Sequence, residues 1–303
     1  MVLNGGIRLK FTSWLGWLSV GLIGYKTLVQ NRMLVTEKYR VEDRRLPMGF
    51  EGCRIVLIAD LHKKTFGYGY CNLINSVAAA QPEIIITAGD MYSRSSKNIM
   101  PVVKLMKKLS AIAPVYYTPG NHEIGDMARL EKFCRALEKQ GITVLRDRSI
   151  TIERGGSQAT LSGLELPLEY FFSYQGGHAQ MRKLTAHQIT HHIGEPGAGD
   201  YTMLISHDPL FLEAYSQWGA NLVFSGHIHG GVIRLPVIGG VLSPERKFFP
   251  KYSKGLYRMG ITTMALTSGL GKFRLNNPSQ IMLLILSRTS NPTKRPKNKK
   301  WFF

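Results

Sequence analysis

Apolar and polar positions change their spacing repeatedly from Gly52 onward. Short apolar runs that suit buried strands lie at 54–59, 84–88, 114–118, 142–145, 159–163, 201–206, 221–225, 231–235, 261–267 and 281–287. Between them, helical spacing predicts helices over 70–81, 97–111, 124–140 and 179–193. In the first half a strand is followed by a helix three times, the pattern of right-handed crossovers in a mainly parallel sheet. The second half is richer in strands joined by Gly and Pro turns. The expected class is α/β.

Both ends depart from this pattern. Residues 11–25 (FTSWLGWLSVGLIGY) carry no charge and lie between Lys10 and Lys26. With their flanks they approach the roughly 20 apolar residues of a spanning helix. No small-x-small cleavage site follows, and Trp14 and Trp17 suit a membrane interface. An uncleaved N-terminal hydrophobic helix that attaches the chain to a membrane is expected; a helix packed on the domain is the alternative. Arg8 and Lys10 precede it, and Lys26, Arg32, Lys38, Arg40, Arg44 and Arg45 follow. The positive-inside rule therefore points to the cytoplasmic side, although an anchor lying in the interface would look the same. Residues 288–303 (RTSNPTKRPKNKKWFF) hold six basic residues and no acid. They read either as a solvated tail or as a polybasic segment for anionic lipid. The division is an anchor and linker at 1–46, a folded domain at 47–287 and a basic tail at 288–303.

Composition sharpens this outline. The length of 303 residues, 44% of them hydrophobic, supports one large domain or two smaller ones. A formal net charge of +19 predicts anionic company: phosphates, nucleic acid or an acidic membrane surface. Cys53, Cys71 and Cys134 are odd in number and lack CxxC spacing, which supports neither a disulfide framework nor a thiolate zinc site.

Five polar segments each follow an apolar strand candidate: Asp60-Leu61-His62, Gly89-Asp90, Gly120-Asn121-His122-Glu123, Ser206-His207-Asp208-Pro209 and Gly226-His227-Ile228-His229. Ligands of open α/β sheets gather beyond the carboxyl ends of the strands, so these side chains are expected on one rim. In an extended backbone, residues i and i+2 point the same way, which makes Asp60/His62 and His227/His229 candidate metal-gripping pairs. Asp90 is free to bridge two ions, and Asn121 adds a neutral oxygen. Two divalent ions, two carboxylates and a bridging hydroxide leave a net positive site for an anionic phosphate. Imidazole with carboxylate ligation suits Mn, Fe, Zn, Co or Ni and chooses none of them. Asp208-Pro209 reads as a helix cap, and His187 and His191 as a solvated helix face. Gly269-Leu270-Gly271 is a turn signal. No GxxxxGK[ST] loop, GxGxxG turn, GxSxG elbow or HExxH is present.

The ordered set of DxH, GD, GNHE, a later His and GHxH resembles the calcineurin-like metallophosphoesterase superfamily. The extended GHIHGG…RLP and GLG…RLNNP resemble a bacterial, often membrane-attached branch that includes enzymes splitting the pyrophosphate of UDP-2,3-diacylglucosamine. The resemblance spans roughly 50–287. It implies a four-layer αββα sandwich, two mixed β-sheets flanked by helices, and two divalent metal ions, with Mn, Fe and Zn foremost. One ion would take Asp60, His62, Asp90 and His229; the other Asp90, Asn121, His207 and His227. His122 would be the catalytic residue that meets the substrate. Many members carry an acidic residue three positions after the Gly-Asp aspartate to orient that His. Ser93 stands there in this chain, and Glu123 is the candidate substitute. The implied reaction is hydrolysis of a phosphodiester, phosphomonoester or pyrophosphate by metal-bound hydroxide, on a membrane-associated or lipid-linked substrate. Arg246, Lys251 or Lys254 could supply charge to phosphate. A nuclease or cyclic-nucleotide phosphodiesterase is the alternative raised by the +19 charge, but no base-stacking aromatic platform favours nucleic acid. A non-catalytic metal-binding scaffold is the third reading.

Overall fold

The computed structural model describes residues 24–25, 29–30, 33–171, 182–197, 199–231, 233–235, 239–242, 248–271 and 274–289. Its frame is two six-stranded mixed sheets. The first contains β1 (Leu34–Glu42), β2 (Arg54–Ile58), β3 (Ile84–Ala88), β4 (Val115–Thr118), β5 (Thr143–Val144) and β14 (Ser279–Ser287), in the order β1-β14-β2-β3-β4-β5. Strands β2 to β5 are mutually parallel, as the crossover pattern predicts. β14 runs antiparallel to β2, and β1 runs parallel to β14.

The second sheet contains β6 (Arg148–Arg154), β7 (Ser157–Gly163), β8 (Thr202–Ile205), β9 (Leu222–Ser225), β12 (Gly255–Met259) and β13 (Thr262–Leu266), in the order β12-β13-β9-β8-β7-β6. A separate hairpin pairs β10 (Ile233–Leu235) with β11 (Gly239–Leu242). The helices are α1 (Cys71–Ala79), α2 (Met100–Ser110), α3 (Asn121–Ile124), α4 (Met127–Glu138), α5 (Ala186–Ile193) and α6 (Leu212–Trp218).

Strand side chains alternate between faces, and here both faces are covered. On β2, Ile55 and Leu57 join a core shared with Met203, Phe224 and Ala265 of the second sheet. Val56 and Ile58 turn the other way, onto Leu73, Val77 and Leu105 of α1 and α2. On the far side, Leu204 and Val223 pack with Ile189, Tyr215 and Trp218 of α5 and α6. Burial on both sides explains why these strands read as continuous apolar runs.

The segment 34–42, read as linker, is instead an edge strand in nine-residue register with β14. Its charges (Glu37, Lys38, Arg40, Glu42) hide the strand pattern because an edge strand keeps one side half exposed. β6, β11, β12 and the seven-residue α6 were also absent from the periodicity, being too short or too polar. Apart from Gly24 and Tyr25, the N-terminal hydrophobic helix expected over 11–25 falls outside the described residues. Among the described residues no helix is long and apolar enough to cross a membrane. The basic tail beyond 289 also lies outside them.

Candidate metal centre

Five strands deliver the site. β2 leads into Asp60 and His62, β3 into Asp90, β4 into Asn121 and His122, β8 into His207, and β9 into His227 and His229. β2, β3 and β4 are neighbours in one sheet, and β8 and β9 in the other. The loops are tied to one another by backbone: Asp60 N donates to Gly89 O at 3.0 Å, His62 N to Asp90 O at 3.0 Å and Gly226 N to His207 O at 3.1 Å.

The expected geometry of the i, i+2 pairs needs correction. Asp60, His62, Asp90, His227 and His229 have positive φ, between 53° and 72°, so neither pair lies on extended backbone. Asp and His tolerate the left-handed region better than most residues, yet each such position costs about 1–3 kcal/mol unless its surroundings fix it. The fixing is visible at Asp60, whose carboxylate accepts His227 N at 3.1 Å.

The carboxylates and imidazoles converge. Asp60, His62 and His229 can each bring one ligand atom within 4.8 Å of the others; so can Asp60, Asp90 and His207, and so can His62, Asp90 and His122. The His227 ring lies 5.1 Å from that of His207. Asn121 is buried beside them, and its Oδ1 finds no hydrogen-bond partner among the described residues. His207 Nδ1 meets Ala88 O at 2.6 Å, and Nε2 faces Asp90 Oδ2 at 3.5 Å. A buried amide oxygen and a buried imidazole nitrogen among carboxylates fit divalent cations of the imidazole–carboxylate type, which would take the place of a proton there.

Electrostatics follow the same geometry. Burial pushes the Asp90 carboxyl up, but the His207, His62 and His122 imidazoles beside it hold it well below the usual carboxylate range. Burial pushes His207 down, and the Asp90 and Asp60 carboxylates outweigh it, raising the imidazole to about 10. Burial and the Asp90 charge push Glu123 up to about 8, against the Gly120 and Tyr92 N–H groups that favour its ionised form.

Residues 53–231 match the family model described as calcineurin-like phosphoesterase. The chain belongs to that family. It is therefore a hydrolase of phosphoester bonds, and its Asp/His cluster is the family's candidate dimetal site. It is 25% identical over 260 residues to the metallophosphoesterase YkuE of Bacillus subtilis, covering 84% of this chain and 85% of that protein. It is 24% identical over 246 residues to the phosphodiesterase YaeI of Escherichia coli, covering 77% and 82%. Among solved structures it resembles a phosphopantetheinyl hydrolase of Mycobacterium tuberculosis at 14% identity and a TM-score of 0.45, covering 82% of this chain and all of that one.

In this calcineurin-like phosphoesterase the contacts of several residues around the site were invisible from the sequence. Glu123, the candidate to orient His122, is a brace: its side-chain carboxyl group accepts Asp90 N at 2.8 Å, Gly120 N at 2.9 Å and Tyr92 N at 3.1 Å, clamping the loops after β3 and β4 together. His122 Nδ1 instead accepts the Arg94 N–H at 3.2 Å, a backbone contact with no residue signature. Ser93 N donates to Ser96 Oγ at 3.2 Å. Phe171 sets its ring 5.1 Å from His227. The Gly269-Leu270-Gly271 turn lies beneath Asp60: Leu270 N donates to Ala59 O at 3.1 Å and Gly271 N to Asp60 O. Arg274, 1% exposed, holds that turn through Gly269 O at 3.1 Å and reaches His229 O at 3.3 Å. Of the cations considered for phosphate, Lys254 is bound to Glu37 of β1, Lys251 stands over the Tyr252 ring, and Arg246 lies outside the described residues. Asp208 accepts Leu210 N at 2.8 Å as the expected cap, and His187 and His191 are exposed on α5.

Proposed function

We propose that this phosphoesterase hydrolyses a phosphodiester or pyrophosphate carried by a lipid or lipid precursor at a membrane surface. The observation that carries the phosphoesterase part is the convergence of five strand ends from two sheets on one buried Asp/His cluster. The apolar run 11–25 and the basic tail support the membrane part. The three cores support a helix–sheet–sheet–helix layering of the catalytic unit. The pairing of β1 supports starting that unit at residue 34.

Asp60, His62, Asp90, Asn121, His207, His227 and His229 are the residues that would hold two divalent ions. When bound, the ions supply Lewis acidity and an activated water. His122 is the proposed group that meets the substrate. Because its Nδ1 accepts the Arg94 N–H, the proton of a neutral imidazole sits on Nε2, 3.9 Å from Asp90 Oδ2. From there it can be offered as a hydrogen bond to a phosphoryl or leaving oxygen, stabilising the charge that develops on it. Glu123 and Arg274 keep the loops that carry these groups in place.

Metal analysis of the purified protein, followed by hydrolysis of a bis-p-nitrophenyl phosphodiester and a panel of lipid pyrophosphates with Mn²⁺, Fe²⁺ or Zn²⁺, tests the reading. Metal-dependent turnover is expected, with lipid pyrophosphates preferred over oligonucleotides. Bound metal without turnover of any phosphoester would sink it.

A further inference from the structure

We infer that the protein docks on an anionic bilayer through the rim of its metal centre, so that the site opens toward the lipid surface. This rests on the membrane reading above and adds the face and its orientation.

The first observation is the direction of β1. Leu34 pairs with Ser279, and Met282 of β14 pairs with Leu57 of β2. The amino end of β1 therefore lies at the carboxyl end of β2, the end that leads into Asp60. Gln30 fastens the entering chain there, donating to Asn276 Oδ1 at 3.2 Å. Eight residues separate the apolar run 11–25 from Leu34, and even fully extended they span about 30 Å. A membrane-held run would keep this rim, rather than the opposite end of the sheet, close to the bilayer.

The second observation is what borders the rim. Asn276 also donates to Arg234 O at 3.1 Å, docking the β10–β11 hairpin against the entering chain. This hairpin follows directly on His229 and leads to Phe248 and Phe249, which are 72% and 66% exposed. Phe249 holds φ 50°, an uncommon backbone for a bulky residue, and its N–H donates to Val241 O at 2.8 Å. On the other flank, beyond Phe66, Tyr68 is 99% exposed. Adjacent exposed aromatics beside an open site have no packing role and suit a lipid interface.

Charge selects the partner. Among the described residues, Lys63 after β2 and Lys251 beside the two phenylalanines are exposed. A rim of this sign on a chain of net charge +19 repels a second copy and attracts anionic lipid.

The test uses the full chain with Cys71→Ser, carrying a single fluorophore through Phe249→Cys, Tyr68→Cys or, as control, Met48→Cys. Met48 is 67% exposed and precedes the amino end of β2, opposite the site. Proteins are bound to phosphatidylglycerol/phosphatidylethanolamine vesicles containing a headgroup-nitroxide lipid. Docked apolar residues lie about 5–10 Å into the headgroup boundary, so quenching at 249 and 68 should exceed that at 48 by about threefold or more. Equal quenching at all three positions, or greater quenching at 48, overturns the orientation while the chain still floats with vesicles. Failure of the chain to float at all overturns the membrane reading itself. Shielding of 249 and 68 from aqueous iodide without lipid quenching also overturns the inference, since a second copy or the segment 11–25 would then cover the face.

Discussion

His122 is oriented by a backbone N–H, that of Arg94, and this makes its role separable from metal binding. Replacing His122 with Ala should lower turnover by about 10²–10⁴, with metal content measured by atomic emission unchanged. A loss below that range would remove it as the group that stabilises the transition state. Glu123→Gln should act differently: it weakens the clamp on the Asp90 and Gly120 amides, so metal occupancy should fall together with activity. Cysteine reactivity offers an independent check on residue environments. Burial pushes the Cys53 and Cys134 thiols up to about 12, whereas Cys71 is exposed. Because the thiolate is the nucleophile, raising the thiol from 9.0 leaves about 1000-fold less of it at a given mildly alkaline pH. Alkylation followed by mass spectrometry should find Cys71 modified in the folded protein and all three thiols after denaturation. At this scale the candidate Asp/His cluster was legible, since Asp and His in short motifs carry their chemistry in their names. The left-handed backbone beneath them and the Arg94 amide were not, because main-chain geometry leaves no letter in the sequence.

Among the elements, the loops after β2, β3 and β4 are so close that one methyl group is decisive. At Gly89, φ is +78°, and a Cβ would stand 2.6 Å from Gly120 N and 2.8 Å from His207 Nδ1. Gly89→Ala should therefore abolish metal binding while far-ultraviolet circular dichroism keeps the native pattern. β1 matters for a different reason. It covers β14, a strand whose centre is Ile281-Met282-Leu283-Leu284. A chain beginning at residue 47 would leave that strand as an apolar edge, and size-exclusion chromatography should show aggregation that a chain beginning at residue 29 escapes. Buried strands announced themselves as apolar runs because two layers cover them. β1 stayed hidden because an edge strand carries charges and its partner lies about 245 residues away, beyond any local window.

At the scale of the whole molecule, the two sheets are joined at the site by carboxylates, imidazoles and loops held in costly conformations, so bound ions should stabilise the fold. An ion present at 100 times its Kd adds about 2.7 kcal/mol. At about 2–4 °C per kcal/mol for a domain of this size, chelation should lower Tm by about 5–10 °C per occupied site, measured by calorimetry with and without EDTA. The class, the crossover order and the rim were readable from sequence, whereas the pairing between the first and last strands was not. That pairing also sets a timetable. β14 lies between β1 and β2, so β1 has no partner until residues 279–287 have been synthesised. Contacts of such sequence separation form slowly and leave apolar strands waiting. During translation the sheet must stay open beside β2, and a premature stop before residue 279 would strand both neighbours of β14 with exposed edges.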